Sequence, residues 1–65
     1  MENNIKELRE IFKITQSELA NECKVSRQTI ISLENGRYNP SIILARKIAR
    51  LFDKTIEEVF IFEEE

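Results

Sequence analysis

Helix-capping residues recur at short intervals along this chain of 65 residues, and they limit its helices to about two or three turns each. Asn3 or Asn4 precedes an apolar run that ends near Phe12. Thr15, Ser26, Ser41 and Thr55 each precede another. The side-chain oxygen of such a residue accepts from a backbone N–H that a helix start leaves unpaired. Thr15-Gln16-Ser17-Glu18 and Thr55-Ile56-Glu57-Glu58 go further and read as capping boxes. In each, the threonine hydroxyl bonds the N–H three residues on, and the glutamate reaches back. The single glycine, Gly36, closes the third run, because glycine takes the left-handed conformation beyond a helix end without steric cost. Asn39-Pro40-Ser41 is a turn followed by a cap.

Between these marks the apolar residues keep helical spacing. Ile5, Leu8 and Phe12 share one face, as do Leu19, Ala20 and Cys23, then Ile30 and Leu33, then Leu44, Ala45, Ile48, Ala49 and Phe52 over residues 42–52. A fifth helix of one or two turns starts at Thr55. Val59-Phe60-Ile61-Phe62 fits a short strand at least as well as a helix end. The expectation is one all-α domain over residues 1–65, with five helices and a short C-terminal strand as the alternative for the tail. Its expected core is Ile5, Leu8, Ile14, Leu19, Val25, Ile30, Leu33, Leu44, Ile48, Phe52 and Ile56. Cys23 reads as a small core residue rather than a redox sensor.

Composition removes whole classes of function. Histidine is absent, and with it the commonest general base and transition-metal ligand. One cysteine makes neither an internal disulfide nor a cysteine-rich zinc site. One glycine cannot build a phosphate-cradling loop. No apolar run approaches the ~18 residues of a membrane span, and no signal-peptide pattern stands at the charged start. A soluble, reduced, cytoplasmic domain is expected, with no catalytic residues, metal, cofactor or small-molecule ligand.

The net charge of −2 argues against nucleic acid when taken alone. Its distribution argues otherwise. Residues 24–54 carry Lys24, Arg27, Arg37, Arg46, Lys47, Arg50 and Lys54 against only Glu34 and Asp53. Acidic stretches lie on both sides, and Glu57, Glu58, Glu63, Glu64 and Glu65 face no base at the end.

The informative spacing runs from Thr15 to Gly36. Two short capped helices joined by Cys23-Lys24-Val25 make a helix-turn-helix, in which the second helix can enter a major groove. Arg27, Gln28, Thr29, Ile31 and Ser32 are expected on the outer face of that helix. Arginine pairs two donors with guanine, and glutamine pairs bidentately with adenine. On spacing alone these residues fit base readout and an ordinary solvated first turn equally.

Several motifs together are more specific. Thr15-Gln16-Ser17-Glu18-Leu19-Ala20, Val25-Ser26-Arg27-Gln28-Thr29-Ile30, Leu33-Glu34-Asn35-Gly36, Pro40-Ser41 and Lys47-Ile48-Ala49 resemble the lambda-repressor-like (Cro or XRE type) DNA-binding family over roughly residues 4–60. The resemblance implies a compact five-helix fold with the helix-turn-helix at helices 2 and 3. It also implies a sequence-specific transcriptional regulator, most simply a repressor, that binds double-stranded DNA as a homodimer at a near-palindromic operator. Arg27, Gln28, Thr29 and Ser32 match base-contacting positions. Gln16, Asn35, Arg37, Tyr38, Asn39 and Ser41 match phosphate-contacting ones, and Arg9 with Glu34 matches a structural ion pair.

The chain departs from the family pattern in places. Ser32 is short for a reader, and Ile31 is apolar where a polar residue is usual. Lys24 and Asp53 stand where glycine is frequent. The apolar tail is too rich to bury in so small a domain, so a homodimer seam is expected from Ile56, Val59, Phe60, Ile61 and Phe62. Pairing of the first residues with Ile61-Phe62 as a strand would suit that seam. The alternative reading is a protein-interaction module, an antitoxin-like partner of another protein.

Overall fold

The caps set the element boundaries. The computed structural model describes residues 1–62. It contains α1 (Ile5–Phe12), α2 (Gln16–Cys23), α3 (Arg27–Glu34), α4 (Ile42–Leu51) and α5 (Ile56–Val59). Both capping boxes are closed. Thr15 Oγ1 accepts from Glu18 N at 3.0 Å, and Glu18 Oε1 accepts from Thr15 N at 2.8 Å. Thr55 and Glu58 repeat the exchange at 3.2 and 2.8 Å. The Thr55 N–H bond holds the Glu58 carboxyl below the ordinary carboxylate range. Ser26 and Ser41 each accept from an N–H three residues on, at 3.1 Å. Such caps contribute about 1 kcal/mol apiece, which matters in a domain of this size.

The start of α1 decides between the two candidate caps in favour of the Asn3 side chain. Asn4 occupies the cap position, but its side chain makes no capping bond. Instead its Nδ2 donates to Glu58 O at 3.1 Å. Asn3 Oδ1 accepts from Ile5 N at 3.1 Å, while Asn3 Nδ2 donates to Leu33 O at 2.7 Å. The Met1 amine donates to Gly36 O at 2.9 Å. Residues 1–4 thus run from the end of α3 to the chain's C-terminal segment.

There they pair. Asn3 and Phe60 form an isolated antiparallel bridge. Asn4 N donates to Val59 O, and Ile61 N donates to Glu2 O, both at 2.8 Å. The expected tail strand is therefore a single bridge within one chain, centred on Phe60 rather than on Ile61-Phe62. The acidic end Glu63–Glu65 lies outside the described residues.

The core gathers all five helices around Ile5, Leu19, Ile30, Leu33, Ile48 and Phe52, each fully buried. Val59 and Phe60 join it at 0% and 1% exposure. This corrects the expectation that both belong to a dimer seam. The bridge to Asn3 turns them inward, so they already lie in the core of the single chain, with α5 against α4. Ile61 and Phe62 stay exposed at 41% and 54%. Ile14, Val25 and Ile56 are half-buried at the core's edge. Phe12 is largely exposed, yet its ring meets that of Phe52 edge-on, with centroids 5.3 Å apart. Cys23 is buried, and burial pushes its thiol up, away from the reactive thiolate.

Helix ends carry the backbone strain. Lys13, Lys24 and Asp53 take left-handed φ values of 60°, 59° and 56°, and Gly36 takes 73°. A side chain in this region costs about 1–2 kcal/mol. Lys24→Gly is expected to raise stability by about 0.5–1 kcal/mol once the freedom of unfolded glycine is offset. Urea denaturation midpoints measure the gain.

No helix among the described residues is long and apolar enough to cross a membrane. No cluster of three or more histidine, cysteine, aspartate or glutamate side chains there is placed to hold a metal ion.

Candidate nucleic-acid interface

The turn between α2 and α3 is short because Lys24 reverses the chain at once. Its N–H bonds Asn21 O at 3.2 Å, and Val25 N returns to Ala20 O at 3.0 Å. Val25 half-buries beneath, and Ser26 then caps α3. The first turn of α3 consequently starts on the surface. Arg27 and Gln28 are both exposed, and neither side chain has a hydrogen-bond partner among the described residues. Thr29 and Ser32 are half-buried. The Thr29 hydroxyl is also tied to Ser26 Oγ at 3.0 Å. Ile31, expected on the outer face, is half-buried instead. So the two long polar side chains project furthest, and the two short hydroxyls lie closer to the domain.

The far end of α3 is held by charge. Arg9 Nε meets Glu34 Oε2 at 2.6 Å, and Arg9 Nη2 reaches Glu34 Oε1 at 3.4 Å. Their side chains are only 13% and 8% exposed. Arg9 Nη1 also donates to Ile14 O at 3.2 Å. Gln16, the first residue of α2, donates its amide to Glu34 Oε1 at 3.0 Å. One carboxylate thereby joins α1, α2 and α3. The Gln16 amide has two donors, so one N–H remains for an outside acceptor.

A shallow hollow of about 540 Å³ brings Thr15, Gln16 and Ser17 together with Arg27. The starts of α2 and α3 therefore face one space, across two stretches separated by a turn and a helix. The loop after α3 supplies a second exposed group. Asn35, Arg37, Tyr38 and Asn39 are exposed, and so is the α4 cap, Ser41. Arg37 N is bound to Ser32 O at 3.0 Å, which fixes the loop while leaving the guanidinium outside. The N–H groups of the first turn of α4 carry a positive dipole end suited to an anion. Asn39 is not gathered with Arg27. It lines a different hollow with Met1, Glu2, Ile61 and Phe62.

Two features escaped the sequence reading. Asn3 reaches the last turn of α3, a contact 30 residues away that no local pattern announces. Ile42 and Ile43 are 71% and 66% exposed. A signal for these was present, since both stand outside the helical spacing of Leu44, Ala45, Ile48 and Ala49.

Comparison with known proteins decides the relationship. Residues 5–59 match the family described as helix-turn-helix. The chain belongs to the helix-turn-helix family. Its helix-turn-helix relatives are small and match end to end. One from Archaeoglobus fulgidus is 55% identical over the whole chain and 92% of its own length. Another from Methanocaldococcus jannaschii is 48% identical and covered over 98%. One from Bacillus subtilis is 45% identical and likewise covered over 98%. All three are named uncharacterised HTH-type transcriptional regulators. The five-helix arrangement expected from the caps and from the family resemblance is the one observed, with the helix-turn-helix formed by α2 and α3.

Proposed function

We propose that this helix-turn-helix protein is a sequence-specific, DNA-binding transcriptional regulator, most simply a repressor. The carrying observation is the pair Arg27 and Gln28, exposed and without a side-chain partner among the described residues, at the start of a helix whose other end is anchored through Glu34. That arrangement presents two bidentate donors on a rigid support, as major-groove readout requires. Thr29 and Ser32 stand beside them as shorter contacts. Gln16, Asn35, Arg37, Tyr38, Asn39 and Ser41 would grip phosphates on either side. The relatives' names support the regulatory reading.

The protein acts in this reading as a two-fold homodimer. Two reading helices about 34 Å apart then meet successive major grooves of a near-palindromic operator. Exposed Ile61 and Phe62, half-buried Ile56 and exposed Ile42 supply an apolar surface for such a seam. Val59 and Phe60 take no part, because they are internal. Closed two-fold pairing is the commonest way to cover a patch of this kind. The protein-interaction reading gains no surface anchor on α3, because Ile31 is half-buried.

Fluorescence anisotropy of a labelled random duplex across a salt series tests the DNA reading. Binding at about 50 mM salt that weakens steeply by about 200 mM is expected. Absence of binding at the lower salt would overturn it. On a selected operator, Arg27→Ala or Gln28→Ala should cost about 1–3 kcal/mol and relax the preference at one base position. Arg37→Ala should instead weaken all sequences alike and reduce the salt slope by about one. Competition with single-base operator variants separates the two behaviours.

A further inference from the structure

Asn3 connects two distant parts of the chain through one planar amide. Nδ2 donates to Leu33 O at 2.7 Å in the last turn of α3, in a partly buried position. Oδ1 accepts from Ile5 N at 3.1 Å. The Asn3 backbone is meanwhile bridged to Phe60, and bonds of 2.8 Å on either side lock that bridge. The side chain therefore reaches the helix with Arg27 and Gln28 at its start, while the backbone is fixed to the segment that leads into Ile61 and Phe62.

The last turn of α3 is thus held from two directions. Glu34 ties it to α1 and α2 through Arg9 and Gln16. Leu33, the neighbouring residue, ties it to the tail through Asn3. The Leu33 carbonyl accepts from Gly36 N at 3.0 Å as well, so the Asn3 amide uses its second lone pair. Ile30 and Leu33 seat the helix in the core, and the polar ties from Glu34, Asn3 and the Met1 amine fix the angle of its C-terminal end. Arg27 lies six residues away, under two turns and about 9 Å along the axis, so a small rotation at Leu33 becomes a displacement at the tip. In a two-fold dimer both tips move, and their separation changes.

We propose that Asn3 is a positioning residue that sets the pose of α3 against the dimer seam, and so fixes the half-site spacing the dimer accepts. This rests on the DNA-binding homodimer reading above. The amide is suited to the task because it combines a donor for Leu33 with an acceptor for Ile5. Aspartate has the same shape and keeps the acceptor, but offers Leu33 no donor.

The test compares the wild type with Asn3→Asp and Asn3→Ala. The probes are an operator selected from random DNA by the wild type, the same operator with its centre one base pair longer or shorter, and random duplex. Light scattering confirms the dimer, and circular dichroism melts set a temperature at which every variant is folded. Asn3→Asp is expected to lose about three- to tenfold of the preference for the selected spacing, with random-duplex affinity unchanged. Asn3→Ala removes the donor without adding a charge, and it carries the test if the aspartate variant does not fold. A folded dimer of either variant with the wild-type spacing profile would overturn the inference. A wild type that binds no duplex would overturn the DNA reading itself, which the random-duplex arm reveals separately.

Discussion

Arg9→Ala is expected to remove about 3–5 kcal/mol of folding stability, far more than a surface ion pair contributes. The reason is the surroundings of Glu34, whose side chain is 8% exposed. Arginine satisfies it through Nε at 2.6 Å and Nη2 at 3.4 Å, and also serves the Ile14 carbonyl. Alanine leaves a mostly buried carboxylate with the Gln16 amide alone. Small domains have total stabilities near the lower end of about 5–15 kcal/mol, so the variant should stand close to unfolding. The melting temperature should fall by on the order of 15 °C or more. Urea denaturation with an unchanged slope is the proper measurement, because the slope reports whether compactness also changed. A control separates charge from packing. Arg9→Met combined with Glu34→Leu removes the pair together and should recover most of the loss, since apolar residues often replace a buried pair at little cost. A loss below about 1 kcal/mol for Arg9→Ala would show that the pair behaves as a solvated one.

Local interactions were legible in the sequence, and non-local ones were not. Thr15, Ser26, Ser41 and Thr55 cap the helices they precede because each acts on an N–H three residues away. The same holds for Gly36, whose conformation follows from where a helix must stop, whereas Lys24 was marked only by standing where the family often has glycine. Lys13 shows the limit of that rule, since nothing in its type announces a φ of 60°. The run from Val59 to Phe62 has no period, so it could not say which members face inward. That choice is made by the bridge between Asn3 and Phe60, which pairs opposite ends of the chain. Asn3 itself offered only a capping role by its position. Its bond to Leu33 depends on the path of the first four residues over α3.

The candidate site divides in the same way. Arg27 and Gln28 are exposed because the Ser26 cap places them in a first turn whose buried face begins only at Ile30. The pairing of Arg9 with Glu34 followed from family resemblance, not from any local pattern, and the Gln16 amide on the same carboxylate is seen only in the structure. Nor does the whole-chain charge of −2 describe this surface. Lys24, Arg27 and Arg37 are all exposed within the segment from the turn before α3 to the loop after it, and the one acid in that span, Glu34, is neutralised by Arg9.

Phe60 and Phe62 stand two residues apart, and their replacement should have opposite consequences. Phe60→Ala is expected to cost about 3–5 kcal/mol, because an aromatic ring exposed to only 1% leaves a cavity that the small core cannot close. The variant should be largely unfolded at any protein concentration. Phe62 is 54% exposed within one chain, so its loss should change the stability of the isolated domain by no more than about 0.5 kcal/mol. In the proposed dimer, however, Phe62 is a central aromatic contact. Such residues carry more than about 1 kcal/mol, so Phe62→Ala should weaken dimerisation by roughly tenfold. Light scattering across a dilution series measures this directly. Melting temperature should be followed over the same range, because association adds stability that depends on concentration. A Phe60→Ala chain that stays folded would mean that the ring is not part of the core. A Phe62→Ala chain with unchanged self-association, or a wild type that is monomeric at micromolar concentration, would remove the tail from the seam. The half-site spacing would then need another support.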